Sequence, residues 1–177
     1  MQPGHPAAQD MRLRYLRQLS KEYPTQKAAA ARIVSLKAWM RLPKGTEYFF
    51  SDLHGEHKGF LRMLKSASGT IRDKIETLFS GALSKKDRDE LAQLIYEPEA
   101  MLRHMQREGL LSEEWYYLSI TRLIMVFKAV SAKYTRSMAE RVIPEDFRGA
   151  INELSYKDED ESRAQYHYGV VRAILDT

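Results

Sequence analysis

Glu47-Tyr48-Phe49-Phe50-Ser51-Asp52-Leu53-His54-Gly55-Glu56 decides how the fold is read. Its first half, Glu47-Ser51, is short and aromatic and follows Pro43 and Gly45, so it reads as a buried β-strand. It runs directly into Asp52-Leu53-His54-Gly55. Alternate side chains of an extended chain point the same way, which lets Asp52 and His54 converge at the carboxyl end of the strand. Open α/β sheets bind ligands at that end, and Gly55 lets the backbone turn sharply. A carboxylate oxygen beside a neutral imidazole nitrogen suits a divalent transition metal. The same residues admit a plainer reading. An Asp at a strand end caps the helix that follows, and a nearby His is satisfied at the surface.

Outward from that stretch the pattern is helical. Asp10 is placed to cap a helix carrying Leu13, Leu16, Leu19 and Tyr23 along one side, and Pro24 ends it. Thr25 caps a second helix that runs through the alanines to Met40. After Gly55, Phe60, Leu61 and Leu64 share a face, and Ile71, Ile75, Leu78 and Phe79 follow at helical spacing. Ser84 with Asp87 three residues later makes an N-terminal cap for a helix carrying Leu91, Leu94 and Ile95. Pro98 suits the first turn of the next helix and Gly109 its end. Tyr116, Ile120, Leu123, Phe127, Val130 and Tyr134 advance by alternating four and three residues, the strongest helical stripe in the chain. Pro144 separates a segment holding Phe147, Ile151 and Leu154, and Gln165 to Leu175 reads as a last helix. The inventory is predominantly α with one strand. A buried strand cannot satisfy its backbone groups alone, so its partner strands are expected outside this chain.

Composition narrows the functions. The 177 residues are 44% hydrophobic and 29% charged, the balance of a soluble globular protein. No run approaches the about 20 apolar residues of a membrane span; Leu123 to Val130 is broken by Lys128. Residues 1–10 lack the apolar core of a secretory signal and read as a disordered tail, so a cytoplasmic location is expected. The absence of cysteine removes disulfides, a thiol nucleophile and cysteine-bound metals. Metal ligands must then be His, Asp, Glu or Asn. The net charge of +4 comes from scattered residues, and Lys157 is followed by the acidic run Asp158-Glu159-Asp160-Glu161. With no aromatic-basic alternation, nucleic acid is not expected as a partner.

A co-linear set of blocks is more specific than the metal pair. Tyr15-Leu16-Arg17-Gln18-Leu19-Ser20-Lys21-Glu22-Tyr23-Pro24-Thr25 opens it, then Leu42-Pro43-Lys44-Gly45-Thr46-Glu47 running into Phe50-Ser51-Asp52-Leu53-His54-Gly55-Glu56. Ala67 to Arg72, Leu94 to Pro98, Glu114 to Tyr116, Arg122 to Ile124 and Val130 to Ser137 continue it. In this order the blocks resemble class 3 fructose-1,6-bisphosphatases, from about Tyr15 to Leu154. That family resembles the calcineurin-like metallophosphoesterases, an α/β sandwich around a two-metal centre. The resemblance implies that Asp52 and His54 are the first pair of metal ligands. It also implies a dinuclear Mn²⁺ site in the full-length protein alone, with fructose 1,6-bisphosphate as substrate. The reaction implied is hydrolysis of the 1-phosphate to fructose 6-phosphate and phosphate, a step of gluconeogenesis.

The family's other ligands come from a Gly-Asp motif, a Gly-Asn-His motif and later histidines; neither motif is found in this chain, and His104 and His167 sit outside any such motif. Those other ligands are expected beyond Thr177. The expected division is a tail over 1–10, the start of a metallophosphoesterase domain over 11–65 and a helical insertion over 66–177. So read, the chain is the incomplete N-terminal part of the sandwich plus that insertion, inactive by itself. Self-association through its uncovered strand edge is expected. The competing reading is a non-enzymatic helical module that binds a partner, or a decayed phosphatase.

Other candidates are set aside. Glu56 fits the motif but gains from the dipole of the following helix without touching metal. His57 and His104 read as surface residues, and Trp39, Met40 and Trp115 as core or interface anchors. Lys133, Arg136 and Arg141 are able to meet a phosphate, yet charged residues near helix ends are more often solvated or paired with carbonyls.

Overall fold

Alanine-rich and amphipathic segments set the architecture. The computed structural model describes residues 6–45, 47–156 and 161–176, so residues 1–5 of the expected tail and residues 157–160 of the acidic run lie outside the described residues. The chain forms two units, Met1–Pro43 and Lys44–Thr177. In the first, α1 spans Pro6–Glu22 and α2 Gln26–Trp39. The Thr25 hydroxyl accepts the Ala28 N–H at 3.1 Å, the cap read from the sequence. Asp10 lies inside α1 instead of capping it, and pairs with Arg14 at 2.8 Å. Nothing on α2 is buried. Trp39 is 41% exposed, with the Arg32 guanidinium 5.2 Å above its ring.

The second unit holds the core. It contains α3 (His57–Ser66), α4 (Thr70–Phe79), α5 (Lys85–Tyr96), α6 (Pro98–Arg107), α7 (Glu113–Ser131), α8 (Arg136–Glu140), α9 (Arg148–Tyr156) and α10 (Glu161–Leu175). Ile75 and Phe79 of α4 pack with Leu91 and Ala92 of α5 and Val126 of α7. Arg88 reaches from α5 to Glu76 of α4, Nε to Oε2 at 2.9 Å. Leu94, Met101 and Met105 form a second cluster against Trp115. The centre is α7, which meets α4, α5, α9 and α10. No residue from Ser119 to Ser131 is exposed, so this part of the helix is covered on all sides and not on one stripe.

Helix ends follow local chemistry. Ser84 and Asp87 close a reciprocal capping box at the start of α5. Pro98 occupies the first turn of α6, where a missing N–H costs nothing. Gly109, at φ +66°, ends it. The Leu110 N–H donates to Met105 O at 3.0 Å and the Gly109 N–H to Gln106 O at 3.1 Å, the paired bonds of a Schellman motif.

The expected strand is corrected. Among the described residues there is no β-strand, and Glu47-Ser51 is neither helix nor strand. Tyr48, Phe49 and Phe50 are exposed, Phe49 at 91%. Aromatic content favours a strand only where a neighbour takes up its N–H and C=O groups. No second strand among the described residues does so. The fold is helical, not an α/β sandwich with one strand, and the strand edge expected to drive self-association goes with it.

Candidate metal-binding corner

The segment Ser51 to Leu53 leads into a tight turn ahead of α3. The Glu56 N–H donates to Leu53 O at 2.7 Å across His54 and Gly55. Both central residues have positive φ, +43° at His54 and +74° at Gly55, the backbone of a type I′ turn. Glycine adopts this region freely, and His is among the few other residues enriched there. The Phe50 ring meets the Phe60 ring of α3 edge-on, centroids 6.1 Å apart, and so ties the loop to the helix it precedes.

The turn brings Asp52 and His54 together. The His54 N–H donates to Asp52 Oδ1 at 3.1 Å, and His54 Nε2 lies 3.0 Å from Asp52 Oδ2. The Asp52 side chain is 63% exposed and that of His54 84%. Convergence therefore arises from a folded-back turn, not from alternation along a strand. The Asp52 carboxylate thus accepts from the backbone two residues on, an Asx-type turn, and does not cap α3, whose N-cap is Glu56. The His-Gly pair is the sequence signal for this turn, and it is outweighed when the segment is read by its aromatic residues.

No third ligand joins them. Among the described residues there is no group of three or more His, Cys, Asp or Glu side chains able to hold a metal ion. Glu56 caps α3 without a side-chain hydrogen bond. His57 and His104 are exposed. His167 lies on α10 in a separate cavity of about 310 Å³ with Tyr117, Thr121 and Lys128 of α7 and Leu154 of α9. A carboxylate and an imidazole are suitable donors for Mn²⁺, Fe or Zn²⁺, but two donors make only one corner of a two-ion centre.

The chain matches the family model described as Firmicute fructose-1,6-bisphosphatase over residues 14–177. It is 42% identical over 165 residues to the class 3 fructose-1,6-bisphosphatase of Clostridium tetani. It is 42% identical over 166 residues to one from Clostridium beijerinckii, and over 165 residues to one from Clostridium botulinum. Each match covers 93% of this chain and 25% of the relative. The chain thus spans about a quarter of the length of the curated relatives it matches. No solved structure matches it.

Proposed function

The chain belongs to the class 3 fructose-1,6-bisphosphatase family, and from that membership we propose that it contributes one corner of the metal centre of a full-length sugar-phosphate phosphatase. The full-length enzyme hydrolyses the 1-phosphate of fructose 1,6-bisphosphate, in the cytoplasm, in the service of gluconeogenesis. Water adds to phosphorus, the bond from phosphorus to the C1 oxygen breaks, and that oxygen gains a proton. The products are fructose 6-phosphate and phosphate. Asp52 and His54 would hold one of two Mn²⁺ ions, which would supply the nucleophile and charge neutralisation in such a displacement. The residues 11–65 belong to the metallophosphoesterase domain in this proposal, and 66–177 to a helical insertion.

The observation that carries the assignment of Asp52 and His54 is the 3.0 Å between Oδ2 and Nε2. The two side chains already stand beside each other, so together they would hold one ion from adjacent donor atoms. Asp52 contributes negative charge and His54 a neutral nitrogen, and the turn holds both before any metal arrives. The strained His54 backbone, costing on the order of 1 kcal/mol, is consistent with a residue kept for its donor atom. In the full-length enzyme, Asp52→Ala is expected to abolish turnover while the helical circular dichroism stays unchanged. Turnover at the wild-type rate would remove Asp52 from the mechanism.

A further inference from the structure

A second polar site lies in the same unit as the metal corner. It is a cleft of about 150 Å³ whose polar lining is Tyr48, Thr70, Lys74, Lys133 and Tyr134. Thr70 opens α4 and Lys74 stands four residues on, so both lie on one face of that helix. Lys133 and Tyr134 follow the end of α7. Half-buried Ile71 and Val130 supply apolar walls, and the Tyr48 and Thr70 hydroxyls stand 3.3 Å apart.

The charges are what set this cleft apart. Lys74 and Lys133 are both half-buried, and among the described residues neither ammonium has an ion-pair partner. No acidic side chain lines the cleft. Nearby cations behave otherwise. Arg72 pairs with Asp89, Arg88 with Glu76 and Arg136 with Glu140. Two ammonium groups lining one cleft with no acidic side chain beside them repel each other, and a bound anion offsets that repulsion. Two ammonium groups with several hydroxyls match the oxygens of a phosphate monoester. The volume is half the about 300 Å³ at which pockets begin to enclose a whole small ligand. One end of a longer molecule fits.

Tyr48 precedes Asp52 by four residues, so at most about 14 Å of backbone separates the cleft from the metal corner. We propose that Lys74 and Lys133 form a specificity pocket for the distal phosphate of a sugar bisphosphate, the one that is not hydrolysed. This rests on the reading of Asp52 and His54 as the hydrolytic end. Lys133 is set aside when only its place near a helix end is considered. Its meeting with Lys74 across the cleft changes that assignment.

The test needs neither metal nor turnover at its first stage. Inorganic phosphate titrated into the chain, followed by amide NMR shifts, is expected to move Tyr48, Thr70 to Lys74, and Lys133 to Tyr134 saturably. Lys74→Gln and Lys133→Gln should each weaken binding about tenfold, and Asp52→Ala should leave it unchanged. Absent saturation, or equal binding by the double Lys→Gln variant, would overturn the pocket without touching the metal assignment. At the second stage, the full-length double variant should lose kcat/KM for fructose 1,6-bisphosphate while keeping it for fructose 1-phosphate. Equal losses on both substrates would refute recognition of a distal phosphate.

Discussion

Ser84 and Asp87 hold the start of α5 through three contacts. The Ser84 hydroxyl donates to Asp87 Oδ2 at 2.7 Å, the Ser84 N–H reaches the same oxygen at 3.2 Å, and the Asp87 N–H donates back to the hydroxyl at 3.2 Å. The Ser84 hydroxyl holds the Asp87 carboxyl below its ordinary range; burial opposes it, and the Ser84 N–H and the charges of Arg122 and Lys86 add to the lowering. A folded-state value below the unfolded one stabilises the fold above the ordinary carboxylate range, and that stability is lost as pH falls through the folded value. Ser84→Ala should cost about 1 kcal/mol in urea unfolding. The gap between wild type and Asp87→Asn should be widest at neutral pH and close in acid. A gap that widens in acid would reverse the assigned sign. This cap was legible because Ser and Asp act on backbone three residues away. The left-handed His54 was not, because its conformation competes with an extended one that the neighbouring aromatics favour.

Among elements, α7 shows what periodicity misses. The four-and-three spacing from Tyr116 to Tyr134 marks a helix, and Glu113–Ser131 is one, ending three residues before Tyr134. Its most buried residues are Ser119 and Val126, which stand off that stripe. A helix enclosed by four others has no outward face, and its burial depends on elements far along the chain. The helices from α4 to α7 were legible because capping, a first-turn proline and a closing glycine are local. Glu47-Ser51 was misread because strand formation is decided by a partner elsewhere. The core lies where Ile75 is 0% exposed. Ile75→Ala should destabilise the chain by about 2–5 kcal/mol, measured by urea unfolding. A loss under about 1 kcal/mol would mean that α4 is not packed between α5 and α7.

For the whole molecule, family and activity rest on different grounds. Co-linear blocks from Tyr15 to Leu154 identify the family from sequence, and the match over residues 14–177 bears that out. Asp52 and His54 were legible as a pair that meets, because i and i+2 side chains meet in a turn as well as in a strand. A two-ion centre would collect its further donors from several distant segments, which no local pattern announces. Among the described residues the corner has no third donor. On the proposed assignment, this chain supplies a corner and not a centre. Titration calorimetry with Mn²⁺ tests it most directly. Weak binding of at most one ion, lost in Asp52→Ala, is the expected result; tight binding of two ions per chain would contradict the account.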